Sequence, residues 1–422
     1  MACYLGQSGA VVELHEKRFD PRKGTDGPGK SINLALSTRG LHALQEVGIQ
    51  EEILKSAIPM PGRMIHSPTG DLTFQPYGKD ASEVINSVSR GGLNCALLDA
   101  AEKLETVSVF FDHRCEGADL DAGTATLKDS GGGLHTTTGA SLIGADGAFS
   151  AVRGAMQKSN RFDYSQDFLE HGYKELAIPA AEGGGFRMEK NALHIWPRGK
   201  YMMIALPNQD GSFTCTLFWP FDGPNSFSAL TRDEDVLAFF KTTFPDAVPL
   251  MPTLLEDYKA NPVGSLVTVR AAPWHYKDKV VLLGDAAHAV VPFLGQGMNA
   301  SFEDCSVLNA CLKEHKNDRA QAFADYSVMR KKNTDALADL AIANFKEMRD
   351  HTASSAFLLK KTGERVLARL FPGFFIPLYS LITFTNTPYA EAVERAANQN
   401  RVIRTALIVL IVVFILLARC CT

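Results

Sequence analysis

The stretch from Val280 to Cys305, VVLLGDAAHAVVPFLGQGMNASFEDC, constrains the fold of this chain more than any other. It reads as an apolar strand, a turn at Gly284 and Asp285, a loop containing Gly295 and Gly297, and a helix starting near Met298. Open α/β sheets bind ligands just beyond strand ends of this kind. A second such element lies upstream in ASLIGADGAFSAVRGAM, Ala140 to Met156, where Asp146 and Gly147 follow a strand and precede a helix that includes Arg153. Gly147 permits close backbone approach, and the small residues after it allow a helix N-terminus to come near a phosphate or ribose. Two strand–turn–helix elements in this order predict an α/β architecture built on a Rossmann-like unit.

The start of the chain supports the same unit. Residues 10–16, AVVELHE, read as a strand, and the preceding ACYLGQSG reads as the last turns of a helix stopped at Gly9. Glu16 then stands where a Rossmann unit carries its ribose-binding acid, about 20 residues after the glycine-rich turn. That count puts the turn before Met1. The expectation is that the first strand and the glycine loop are missing from this chain, that it starts at an internal methionine, and that a longer form carries the activity. An apolar strand of this kind contributes on the order of 10 kcal/mol, so its loss would weaken folding, and the lost loop would weaken cofactor retention.

Composition narrows the classes. A chain of 422 residues with 45% hydrophobic and 21% charged residues and a net charge of −4 carries no electrostatic footprint for nucleic acid. Eight cysteines without a CxxC pair indicate free thiols and argue against structural zinc. Arg22 to Lys30 reads as a loop, SINLALSTRGLHALQEVGIQEEILKSA as helical segments, and ALHIWPR, YMMIALP and SFTCTLFWPF as strands of a second, sheet-built domain. SGGG at Ser130 and EGGG at Glu182 look like loops at hairpin ends. Beyond Asp285 the pattern becomes helical. Finally, Val402 to Ala418 is apolar apart from Arg404 and Thr405 and is bracketed by Arg401 and Arg419. Its 17 residues span about 26 Å as a helix, which predicts a C-terminal transmembrane tail contacting lipid. Cys420 and Cys421 follow it, as acylation sites or as plain thiols.

DG followed by GDAAH and GQGMN resembles the single-component flavoprotein aromatic hydroxylases. GKSINLALSTRG, PMPGRMIHS, VINSVSR, RFDYSQDF, LHIWPR, MMIALPN, SFTCTLF and FIPLYSLITF narrow the resemblance to the family of kynurenine 3-monooxygenases over essentially the whole chain. The resemblance implies an FAD-dependent, NADPH-consuming hydroxylation of L-kynurenine by dioxygen to 3-hydroxykynurenine, at the mitochondrial outer membrane with the catalytic part facing the cytosol. It implies FAD contacts at His15, Glu16, Lys17, Arg18, Ala35, Arg90, Asp146, Asp285, Met298 and Asn299, and backbone contacts at Cys115 and Ala151. For the substrate carboxylate it implies Arg63 and Tyr77, completed by Asn344 and Tyr379. A guanidinium fork and phenol hydroxyls suit that anion. No catalytic side chain is implied, since the cofactor carries the chemistry. His288 is expected to line or cap the cofactor loop, Phe293 to keep the site dry, and Phe371 to Phe384 to form a lid helix. The expected division is FAD-binding residues 1–160, a sheet-rich substrate domain 161–270, a second FAD-binding part 271–320, a helical region 321–400 and the tail 402–418. Two alternatives stand beside this reading: a flavin-poor remnant with a ligand-binding or membrane role, and a flavin hydroxylase of another aromatic substrate.

Overall fold

The computed structural model describes residues 1–24, 33–78, 82–316, 318–347, 363–364, 366–371 and 373–420, without the side chains of 407, 410–415 and 417–420. Much of the Arg22 to Lys30 loop and part of the Phe371 to Phe384 run therefore lie outside the described residues.

The helix Ala2–Gln7 ends before Gly9, whose φ of 82° is a left-handed conformation that glycine adopts without strain. It delivers the chain into strand Val12–His15, which pairs in parallel with Val107–Phe110. Helix and strand lie so close that a Cβ on Gly6 would come within 2.6 Å of Val107. A second parallel pair joins Leu142–Gly144 to Val280–Leu282. Val280, Val281 and Leu282 are all fully buried, as expected for a strand covered on both faces. At roughly 1.5–3 kcal/mol per buried side chain, these three anchor the core on which the Gly284 turn is built.

Among the described residues the sheet-built part has seven strands, in the order Gly264–Ala272, Asp163–Ile178, Phe213–Pro220, Tyr201–Pro207, Leu193–Arg198, Gly62–His66, Leu72–Pro76. All neighbours are antiparallel except Leu193–Arg198 with Gly62–His66. The sheet therefore draws two strands from residues 62–76, upstream of the 161–270 segment. One face packs on helices Asp233–Thr243 and Leu254–Ala260 through Trp196, Trp219 and Phe240. The other faces the loop and helices after Asp285 through Ile65, Phe218 and Phe293.

Three local expectations need correction. The leucine spacing read as helix from Ser31 holds only from Thr38. Asn33–Leu36 is a strand paired with Ile85–Ser89, because its buried Asn33 and Leu36 find their partners across that ladder. The loop at Glu182 does not close a hairpin: it links Asp163–Ile178 to Leu193–Arg198, which are not sheet neighbours. The Ser130 loop does close one. In the Phe371 to Phe384 run, the described helix is the six-residue Leu378–Thr383.

The C-terminal helices are Arg319–Lys346 and Tyr389–Cys420. The latter runs without a break through the expected start of the tail at 402. Its first turns are anchored by buried Tyr389 and Ala392, while Val402, Ile408, Val409 and Leu416 are exposed. Among the described residues, no helix is long and apolar enough to cross a membrane.

Candidate functional site

The carboxyl ends of the two parallel strand pairs carry most of the expected cofactor residues. His15 ends its strand stacked on Phe110 at 4.9 Å, with its Nδ1 3.1 Å from Nδ1 of His113. Burial pushes its imidazole down, against the pull of Glu13. The Glu16 carboxylate accepts from the Arg18 amide at 2.9 Å, shaping the turn in which Lys17 and Arg18 stand exposed.

At the second pair, Gly284 takes a φ of 62° and turns the chain so that Asp285 is exposed between buried Gly284 and Ala286. Its carboxyl is nonetheless pushed up by desolvation, with His288 and Arg90 pulling the other way. The space beyond these strand ends, where open α/β sheets bind ligands, is the cleft that Asp285 borders. Arg90 stands within electrostatic reach of that carboxyl. It opens the helix Arg90–Glu102, which is capped by the Ser89 hydroxyl accepting from the Gly92 amide.

The helix Gly297–His315 starts without a side-chain cap at Gln296, so the partial positive charge of its first turn is not met by a side chain of its own. Gly295, at φ 67°, makes the turn into it. Asn299 is fully buried: its Nδ2 donates to the carbonyls of Ala35 at 2.8 Å and Gly295 at 2.9 Å, and its Oδ1 accepts from the Ser37 amide. Asn299 is thus the clasp that holds Ala35 against the glycine loop, with half-buried Met298 beside it.

Asp146 caps the helix that follows it. Its carboxylate accepts from Ser150 Oγ at 2.5 Å and from the amides of Ala151 at 2.7 Å and Val152 at 3.2 Å. The helix end read as open toward a phosphate is therefore capped from within, and the Ala151 amide is already engaged. Cys115 lies close enough to Asp146 for that charge to act on it. Burial first, and Asp146 second, push its thiol up.

A buried network behind the cleft was not foreseen. Asp304, with no exposed surface, accepts from the Gly284 amide at 3.0 Å, from His288 Nε2 at 2.5 Å and from Arg330 Nε at 2.6 Å. Burial alone would raise its carboxyl, but His288 and Arg330 outweigh that and hold it below its usual range. Glu303 bridges Arg330 and Arg39, each at 2.6 Å. His288 thus braces the turn from behind. The one signal in sequence was the acid pair in SFEDC, which reads there only as part of a helix.

The expected substrate residues gather at the far edge of the sheet. Arg63 lies on Gly62–His66, with its guanidinium carbon 5.1 Å from the Tyr77 ring and 5.0 Å from that of Tyr379. The two rings stack at 5.4 Å. Burial pulls the Arg63 pKa down, but Tyr379 and Tyr77 outweigh that and hold it above its ordinary value. Among the described residues, its buried Nε has no hydrogen-bond partner. Met60, Ile85, Leu206 and Phe384 pack around the pair of tyrosines. Asn344 donates through Nδ2 to the carbonyl of Phe293 at 2.7 Å, and Phe293 stacks on Phe345 at 4.2 Å. Phe293 and Tyr379 share one apolar cluster, so this loop borders the clamp.

Residues 30–341 match a family model described as an FAD binding domain. The chain is 50% identical over 404 residues to a kynurenine 3-monooxygenase of Myxococcus xanthus (strain DK1622), covering 96% of this chain and 87% of that one. It is also 50% identical over 413 residues to a kynurenine 3-monooxygenase of Dictyostelium discoideum, covering 95% and 89%. Among solved structures it is similar to 2-methyl-3-hydroxypyridine-5-carboxylic acid oxygenase, with a TM-score of 0.67 at 21% identity over 85% of this chain and 91% of that one. At that identity the likeness speaks for the fold.

Proposed function

Because this chain belongs to the kynurenine 3-monooxygenase family, we propose that it hydroxylates L-kynurenine at ring position 3, using FAD and consuming NADPH and dioxygen. The observation that carries the reading is Arg63, a guanidinium beside two tyrosine rings that stack on each other, whose buried Nε has no hydrogen-bond partner among the described residues. An amino-acid carboxylate satisfies such a group, and Tyr77 and Tyr379 each add a neutral donor.

The cleft residues fit the cofactor. An uncapped helix start at Gly297, the exposed Asp285 and the cationic Arg90 suit a polar, partly anionic ligand, with His15 and Glu16 at the end for its ribose. Ala151 stays in the proposed set as a backbone contact, with its amide already given to Asp146. When bound, FAD accepts reducing equivalents from NADPH and activates dioxygen. The chain's own part is orientation and dryness: Arg63 and the tyrosines fix the amino-acid end, leaving the aniline ring directed toward the cleft. Phe293 and its cluster exclude water. Relatives named for one activity favour neither a different aromatic substrate nor a silent remnant. The division into residues 1–160, 161–270, 271–320 and 321–400 stays as a proposal, with residues 62–76 added to the sheet part.

We further propose that 402–418 acts as a membrane tail, supported by the exposure of Val402, Ile408, Val409 and Leu416. A mitochondrial outer membrane draws no support from relatives that include bacterial proteins. Carbonate extraction tests the tail: release into the soluble fraction rejects it. The activity is tested by purifying the protein and following NADPH oxidation. Kynurenine-dependent consumption matched by 3-hydroxykynurenine is expected. Consumption indifferent to kynurenine rejects the reading.

A further inference from the structure

The cofactor loop between Gly284 and Gln296 is held at both ends by one chain of buried contacts. At the near end, Asp304 accepts from the Gly284 amide. From Asp304 the contacts pass to Arg330, then to Glu303, then to Arg39. The Arg39 guanidinium sits 4.0 Å from the centre of the Tyr389 ring and donates to the carbonyls of Ile382 and Thr387. At the far end, the Tyr389 hydroxyl donates to Gln296 Oε1 at 3.0 Å, in a site where Tyr389 is fully buried and Gln296 is 2% exposed. Ser37 gives the Gln296 amide only long contacts of 3.3 and 3.5 Å, so Tyr389 supplies its best bond. Gln296 is the residue from which the uncapped helix Gly297–His315 starts.

We propose that Tyr389, on the first turn of the C-terminal helix, is a positioning residue for the cofactor: through Gln296 it fixes where the loop ends and where the Gly297 helix begins. The inference rests on the functional reading above, in which that loop and helix end hold FAD. Removing the hydroxyl leaves the Gln296 oxygen buried without its main donor, and the loop relaxes to find another. Cofactor affinity then falls, although Tyr389 lies behind the loop. A residue needed only for packing would lower the stability of the cofactor-free protein and leave its affinity alone.

The test is a fluorescence titration of FAD into deflavinated protein, paired with melting of the cofactor-free form. Tyr389→Phe keeps the ring on Arg39 and is expected to weaken FAD binding about fivefold to tenfold, the effect of one buried hydrogen bond. Gln296→Met removes the same bond from the loop side and is expected to match it, and the double variant to be no weaker than either single. Gln399→Ala loosens the C-terminal helix ten residues further along, by removing the acceptor of the Ile376 amide. It is expected to lower the melting temperature with FAD affinity within about twofold of the parent. Parental affinity in Tyr389→Phe, additive losses in the double variant, or an equal loss of affinity in Gln399→Ala each overturn the proposal. A parent that takes up no FAD instead overturns the functional reading, and this inference with it.

Discussion

Two arginines, Arg330 and Arg63, have opposite surroundings. Arg330 is 2% exposed and has Asp304, Glu303 and the carbonyl of Ala300 as acceptors. Arg63 is half-buried, has two phenol rings for neighbours and keeps an unsatisfied donor. A buried charge whose partners come from the protein serves the fold. A charge whose best partner is absent from the protein is poised for a ligand. The same division separates the two ends of the proposed site: the proposed cofactor cleft is braced by an ionic network behind it, whereas the proposed substrate clamp is lined with apolar and aromatic side chains.

The largest effect expected is on the satisfied arginine. Asp304→Ala takes the buried carboxylate from His288 and from the Nε of Arg330 and should cost about 3–5 kcal/mol, read as a shift of the urea unfolding midpoint. The same carboxylate gives a pH test. Its folded pKa lies below the unfolded one, so its contribution is complete above the unfolded value near about 4 and is lost as pH falls from there through the folded value. In the Asp304→Ala protein that segment of the acid-unfolding curve should flatten.

Arg63→Ala should do the reverse. Losing a charge-assisted pair to the substrate is expected to lower kcat/KM for kynurenine about 100-fold and to uncouple NADPH oxidation from hydroxylation, with stability within about 1 kcal/mol of the parent. Destabilisation as large as that of Asp304→Ala would erase the distinction between the two arginines. Smaller still, Tyr77→Phe and Tyr379→Phe each remove one neutral donor and keep the ring. A rise in KM of about fivefold to tenfold is expected, without change in the unfolding midpoint.

What could be read from sequence was local. The run Val280 to Cys305 encodes its own strand, turn and helix, because burial, a left-handed glycine and helix-forming residues follow one another within one segment. The strands of ALHIWPR, YMMIALP and SFTCTLFWPF declare themselves by aromatic and β-branched residues. Partners chosen across long separations were not legible. Asn33–Leu36 carries helix-like leucine spacing and becomes a strand only because Ile85–Ser89 lies beside it. Gly62–His66 joins a sheet whose other members lie mostly beyond residue 160. Arg39, Glu303 and Arg330 look like ordinary surface charges until the fold buries them together. At Asp146 the strand, turn and helix were legible, but not that its carboxylate would accept from Ser150 and the first helix amides.

The claim that Arg63 awaits a carboxylate is tested most directly by comparing L-kynurenine with its decarboxylated amine on the parent and on Arg63→Ala. The parent should prefer the carboxylate-bearing ligand about 100-fold, and the variant should bind the two nearly alike. If the variant keeps the parent's preference, the carboxylate is held elsewhere and the account of this site is wrong.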